Sequence, residues 1–224
     1  MNEKKIKEIE DIIGYTFNNK KLLIQAFTHS SYAHEQNDMS LSYERLEFLG
    51  DAILEMMSSL YLFEQNKEEA EGQLTKERAR LVCTYSLSNI ILSLHLEKYI
   101  LLGKGEKQIA INHKPSIMED VLESLIGAIF LDGGYDNTWN FIIKNVMQQT
   151  NCQFIDYKSK LQEILQVDGD IDIKYEVIKE SGPEHNKTFT CELYIANEPQ
   201  TTGVGKSKKE ASQQAAKAYL SLIE

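Results

Sequence analysis

The sequence predicts a helical domain followed by a small α+β domain in α-β-β-β-α order, and three observations carry that reading. Apolar residues recur at helical spacing from Ile6 to about residue 150, with Gly and Pro kept to the joints. Beyond residue 150 the rhythm changes to short alternating runs of strand type. A chain of 224 residues with 42% hydrophobic and 26% charged residues is ordinary globular material and suits two domains better than one. The expected boundaries are 1–152 and 156–224, joined at 153–156 with no long linker, no internal repeat and no low-complexity tract.

Taken in order, the start of the chain, Met1 to Glu8, has no apolar run, which predicts neither a signal peptide nor a membrane span. Thr28 or Ser30 suits the N-cap of an early helix. Residues 43–60 read as a helix in which Leu46, Phe48, Leu49, Ala52, Ile53, Leu54, Met56, Met57 and Leu60 make most of the surface core. Pro115 ends a polar loop, and Ser116 is placed to cap a helix that begins near Ile117. In that helix Val121, Leu122, Leu125, Ile126 and Ile129 form the apolar side. Gly127 costs about 1 kcal/mol against alanine in mid-helix, which close approach of another helix would explain. Residues 156–166 read as a short amphipathic helix with Leu161, Ile164 and Leu165 inward. Strands at 173–178, 188–195 and 201–205 follow, and a helix over 208–223 closes the chain.

Cys83, Cys152 and Cys191 are odd in number and widely spaced, a pattern of reduced thiols in a cytoplasmic protein, with Cys83 expected in the core. The net charge of −10 divides into −7 for residues 1–150 and −3 for the remainder. Neither part is a basic domain, so contact with nucleic acid would have to rest on local patches.

One local pattern stands out against this background. Glu44, Glu47 and Asp51 lie at i, i+3 and i+7, on one face of a helix, with Glu55 extending the stripe and no Lys or Arg interrupting it. Like charges one turn apart repel, so an all-acidic stripe on a half-buried helix invites a hard cation; a solvated acidic face is the alternative. Asp120 and Glu123 make a second acidic pair at i, i+3 on the later apolar helix. Two such helices packed together would pool Glu47, Asp51, Asp120 and Glu123. Four oxygen ligands without Cys or His suit Mg²⁺, with Mn²⁺ able to substitute, and not zinc.

Glu-Arg-Leu-Glu-Phe-Leu-Gly-Asp at 44–51 resembles the signature of ribonuclease III, and the segment from Asp120 to Asp132 resembles its second acidic segment. Thr28-His29-Ser30-Ser31-Tyr32, the run from Gly72 to Val82, and Leu102-Gly103-Lys104-Gly105 fall in the family's order. Residues 156–224 resemble the double-stranded-RNA-binding domain, through Asp156 to Glu163, Gly182 to Phe189 and Gly203 to Ala211. The resemblance covers essentially the whole chain. It implies an all-α catalytic domain and an RNA-binding domain. The implied activity is a metal-dependent endoribonuclease that hydrolyses double-stranded RNA with metal-activated water, leaving 5′-phosphate and 3′-hydroxyl ends. It further implies processing of ribosomal and other structured precursors, in a cytoplasmic homodimer with neither a membrane partner nor a small-molecule cofactor. Glu47, Asp51, Asp120 and Glu123 are then the ligands and catalytic residues, and Glu44 has a supporting role.

The same resemblance gives Phe48 a place in the dimer contact; an ordinary core phenylalanine is the alternative. Ser207 suits an N-cap, and Lys206, Lys208 and Lys209 cluster at that helix end, where the dipole favours anions. By resemblance they meet phosphates, while Gln162 and His185 meet two successive minor grooves. Three departures from the family pattern bear on affinity. Glu119 adds a carboxylate where a small residue is common, the loop 168–172 is acidic, and 108–114 is less basic than usual. A non-cleaving RNA-binding protein would have lost a ligand, and an acidic scaffold or Ca²⁺-binding protein would not explain the lysine-rich helix end.

Overall fold

Asn2 opens the first helix, α1 (Glu3–Ile13), by accepting the Lys5 amide at 3.0 Å, and Gly14 closes it in the left-handed region, φ 73°. That geometry lets the Gly14 N–H reach back to the Glu10 carbonyl, a turn that a side chain would strain. The computed structural model describes residues 1–108, 110–148, 157–165, 171–182 and 187–223. The chain divides into two units, Met1–Phe154 and Ile155–Glu224. The expected joint at 153–156, Cys152, residues 168–170 of the acidic loop, and His185 lie outside the described residues.

The first unit continues with α2 (Lys20–Ala26), α3 (Ser30–Glu35), α4 (Glu44–Gln65), α5 (Glu71–Leu81), α6 (Thr84–Ser93) and α7 (Pro115–Ile142), with short 3₁₀ turns between them. Its core gathers Ile6, Ile9 and Ile13 from α1, Leu46, Ile53, Leu54 and Met57 from α4, Leu87 and Ile91 from α6, and Val121, Leu122, Leu125 and Ile129 from α7. α7 is interrupted at Gly134, where φ 72° and ψ −168° break the helical path. Just upstream, Asp132 ties this helix to the N-terminal region. It accepts the Tyr15 hydroxyl at 2.8 Å and the amides of Asn18 and Asn19 at 2.7 and 2.8 Å. These donors hold its carboxyl below the usual range against the cost of burial. Burial, and then the bond to Asp132 and its charge, push the Tyr15 hydroxyl up to about 12.

Several local expectations are corrected. Ser116 is not the cap of α7: Pro115 takes the first helical position, its fixed φ suited to a helix start, and Ser116 falls inside the first turn. Neither Thr28 nor Ser30 caps α3. His29 does, its Nδ1 accepting the Ser31 amide at 3.1 Å, because Thr28 Oγ1 is already spent on the Ile24 carbonyl at 2.7 Å. Cys83 is half-buried at the start of α6, within reach of Ser86 Oγ at 3.3 Å, and not a core residue. Glu55 leaves the acidic stripe and faces Arg78 of α5 at 3.5 Å.

The largest departure concerns α4. Phe48, Met56 and Phe63 are 83%, 50% and 70% exposed, so one apolar side of this helix is not core within the single chain.

In the second unit, α8 (Tyr157–Leu165) and α9 (Lys208–Ile223) cover one face of an antiparallel sheet of order β1-β2-β3, with β1 Ile173–Ser181, β2 Thr188–Ile195 and β3 Glu198–Gly205. β1 and β3 are longer than expected, and a bulge between Val177 and Lys179 shifts the β1–β2 register. The core is Leu161, Leu193, Ala215, Ala216 and Leu220. Gly203 lets β3 lie directly under α9, since a Cβ there would strike the backbone of Ala211 and Ala215.

Candidate functional site

The crossing of α4 and α7 is where chemistry gathers. Gly50 and Gly127 face each other at that crossing. A Cβ on Gly50 would run into the Glu123 carbonyl, and one on Gly127 into the Leu46 carbonyl. The two backbones therefore come closer than side-chain-bearing helices could. Glu47 is one turn before Gly50, and Glu123 is one turn before Gly127, so the notch sets their carboxylates opposite each other. Asp120, at i−3 from Glu123, shares its face.

Ligand oxygens of Glu47, Asp120 and Glu123 lie within 4.8 Å of one another, all three residues half-buried. Asp51, one turn beyond Glu47, is exposed and stands outside this cluster. Its charge nonetheless helps raise the carboxyls of both Glu47 and Glu123. Glu44 is likewise exposed, and its charge acts on Glu47 and Asp120. Glu44 and Glu47 sit in the first turn of α4, where the helix dipole favours anions.

Burial and mutual repulsion outweigh that help. Burial first, then Asp120, Glu44 and Asp51, push Glu47 up to about 7. Burial, then Asp51 and Glu119, push Glu123 up to about 8. Asp120 is also raised, chiefly by burial, although the Tyr43 hydroxyl and the charge of His29 oppose the shift. Glu119 hydrogen-bonds Thr84 and is raised mainly by burial, so this added carboxylate borders the cluster without joining it. An oxygen-only donor set that burial and repulsion keep partly protonated near neutrality fits a divalent hard cation, whose charge would hold all of them ionised.

Tyr43 was missed in the sequence. Its hydroxyl donates to Asp120 Oδ2 at 2.8 Å, and burial and that bond raise its own pKa far above the ordinary value. The available signal was its place one turn before Glu47, on the acidic face.

In the second unit, Ser207 Oγ accepts the Glu210 amide at 3.1 Å, and Glu210 Oε2 accepts the Lys206 amide at 2.6 Å, a reciprocal cap on α9. Lys206, Lys208 and Lys209 are exposed around this end, and Gln162 is exposed on α8. Lys208 is not an isolated charge. Its ammonium lies 3.3 Å from Glu180, which also holds Lys187 at 3.7 Å.

The chain resembles known proteins along both units. Residues 19–150 match the ribonuclease-III-like family model, and residues 157–223 match the double-stranded RNA binding motif. Ribonuclease 3 of Oceanobacillus iheyensis is 45% identical over 97% of this chain and 98% of its own length. Ribonuclease 3 of Bacillus cereus is 45% identical over 94% of this chain and 88% of its own length. The solved nuclease domain of ribonuclease III from Campylobacter jejuni, described for structural flexibility in a region involved in dimer formation, superposes with a TM-score of 0.59. It shares 39% identity, covering 64% of this chain and 96% of that one. With helical crossing, acidic cluster and sheet-bearing second unit all in place, the chain belongs to the ribonuclease III family.

Proposed function

We propose that the chain is an endoribonuclease of double-stranded RNA whose cutting site is the carboxylate cluster of Glu47, Asp120 and Glu123, with Asp51 beside it and Mg²⁺ as the resident ion. The observation that carries this reading is the cluster itself: three ligand oxygens within 4.8 Å, on two helices, with the Glu47 and Glu123 carboxyls lifted to about 7 and 8 by burial and then by their acidic neighbours. A divalent cation bound there supplies water activation and charge stabilisation at a scissile phosphate. The side chains bind and orient. Glu47 and the Asp120–Glu123 pair hold the ion from two helices, and Glu44 and Asp51 extend the negative field toward solvent. Substrate contact falls to the second unit, where Lys206, Lys208 and Lys209 at the capped end of α9 suit phosphates and exposed Gln162 suits a minor groove.

Two cuts across one duplex require two such sites, which points to a symmetric pair of chains. The exposed Phe48, Met56 and Phe63 on α4 give that pair an apolar face to share. Phe48→Ala should weaken self-association by about 30-fold, the effect of a buried aromatic anchor, with no loss of helical content. Sedimentation across a concentration series would read it, and unchanged association would return this face to solvent. No described helix is long and apolar enough to cross a membrane, and a cytoplasmic site of action is the reading we adopt.

The deciding test is a long RNA duplex incubated with the chain and Mg²⁺, then with EDTA. Internal cleavage only in the presence of Mg²⁺ is expected. Binding without cleavage would instead support a non-catalytic RNA-binding protein.

A further inference from the structure

We infer that Tyr43 is a positioning residue of the cation site, fixing the Asp120 carboxylate from α7 and the start of α4 as one unit. This rests on the carboxylate cluster being a cation site.

Tyr43 touches two of the three ligand-bearing residues by separate routes. Its hydroxyl donates to Asp120 Oδ2 at 2.8 Å, across 77 residues of sequence. Its carbonyl accepts the amides of Leu46 at 2.7 Å and Glu47 at 2.9 Å, the first bonds of α4. The side chain thus sets the rotation of one ligand, and the main chain sets the origin of the helix that carries another.

Tyr43 is itself held from a third direction. It is 2% exposed, and its amide donates to the Thr28 carbonyl at 2.9 Å. Its ring meets the His29 ring edge-on, centroids 5.7 Å apart and planes at 68°. His29 is fixed in turn: Nδ1 accepts the Ser31 amide at 3.1 Å and lies 2.7 Å from Ser31 Oγ, which accepts the Gly103 amide at 2.9 Å. The Leu101 amide donates to the Phe27 carbonyl at 2.8 Å, and the His29 amide to the Leu101 carbonyl at 3.0 Å. The whole Phe27–Ser31 turn is therefore stitched to the segment 101–103. A hydroxyl so supported does not wander.

The chemistry of the ion makes this matter. Mg²⁺ demands near-octahedral oxygens at about 2.0–2.1 Å, whereas Ca²⁺ accepts irregular sets at longer distances. A carboxylate free to rotate therefore costs Mg²⁺ more than Ca²⁺. Partners that orient ligands from behind typically govern metal affinity by about 10–100-fold.

The experiment is calorimetric titration of the full, metal-free chain with MgCl₂ and separately with CaCl₂. Tyr43→Phe keeps the ring and removes only the donor. It should weaken Mg²⁺ by about 10–100-fold and Ca²⁺ much less, so that the ratio of the two affinities falls, while duplex RNA binding in EDTA is unchanged. His29→Asn keeps a side-chain oxygen for the Ser31 amide but withdraws the ring from Tyr43; it should lower the same ratio by a smaller factor. If Tyr43→Phe weakens both cations equally, or neither, the inference is overturned, whatever happens to the melting temperature. If Tyr43→Phe does not fold, His29→Asn decides alone, and an unchanged ratio overturns the inference. Glu123→Gln separates this failure from that of the site. Lost Mg²⁺ binding in Glu123→Gln beside an intact ratio in Tyr43→Phe removes Tyr43 only, whereas unchanged Mg²⁺ binding in Glu123→Gln removes the site and the inference together.

Discussion

Glu47, Asp120 and Glu123 stand on helices rooted in the core, while Lys206, Lys208 and Lys209 stand exposed around one helix end. In the first group, burial and then repulsion between neighbouring carboxylates raise Glu47 and Glu123 to about 7 and 8. The second group is tempered at Lys208, whose ammonium lies 3.3 Å from Glu180. The contrast follows from what each surface has to hold. A small cation needs oxygens at fixed distances, which only rigid, closely packed backbone supplies. A phosphate chain needs charge within reach, and flexible ammonium groups supply that without exact placement. Where position is the requirement, the chain accepts uncompensated repulsion; where charge is the requirement, it accepts mobility and partial pairing.

The strongest way to break this comparison is to remove one fixed oxygen. Glu123→Gln should lower the cleavage rate by at least about 10²–10³-fold, as loss of a transition-state charge contact does, and leave duplex binding within a factor of two or so of the parent, read by gel shift in EDTA. Retained cutting would take Glu123 out of the site. Next in size is the notch. Gly50→Ala sets a methyl against the Glu123 carbonyl, and overpacking of that kind costs about 1–3 kcal/mol. A lower melting temperature together with weaker Mg²⁺ binding is expected, whereas a lower melting temperature alone would uncouple packing from the site.

The third test uses pH. Glu47 and Glu123 have folded values of about 7 and 8 against an ordinary 4.5, so the folded metal-free chain binds more protons than the unfolded chain between those limits. Their contribution to stability is full below about 4.5 and lost as pH rises through 7 to 8. The metal-free chain should therefore melt lower at pH 8 than at pH 6, and Mg²⁺ should recover more at pH 8. Cation binding near neutrality should also release protons, visible as a buffer-dependent heat. A melting temperature independent of pH would mean the carboxylates are already neutralised.

The smallest effect belongs to the flexible surface. Lys209→Ala should reduce the slope of log K against log salt by somewhat under one unit, about 0.7–0.9 for a single phosphate contact, equally for all duplex sequences. Lys208→Ala should do less, because Glu180 already claims part of that charge. Equal losses would show that the Glu180 pairing does not persist on RNA.

Much of this was legible in advance for physical reasons. Helical spacing placed Glu47, Asp120 and Glu123 on facing surfaces, and Gly127 announced a close crossing because a mid-helix glycine needs a reason. The strands showed through alternation, and the end of α9 through its serine cap. What did not show was any feature that depends on a partner distant in sequence. α4 is apolar nearly all round, so periodicity could not say that Phe48, Met56 and Phe63 would face outward. Asp51 shares the acidic face of Glu47, but only the tilt of α7 decides which carboxylates converge. Glu55 belonged to the stripe until Arg78 arrived from α5. Tyr43 meets Asp120 only in the folded chain.

The facing glycines have a consequence for heredity as well as for packing. The obstacle to a side chain at Gly50 is the main-chain carbonyl of Glu123, and at Gly127 it is that of Leu46. Neither obstacle is a side chain that a second mutation could shrink. A selection for intragenic suppressors of Gly50→Ala should thus return revertants to glycine and general stabilisers scattered over the unit, but no compensating change confined to the opposite helix.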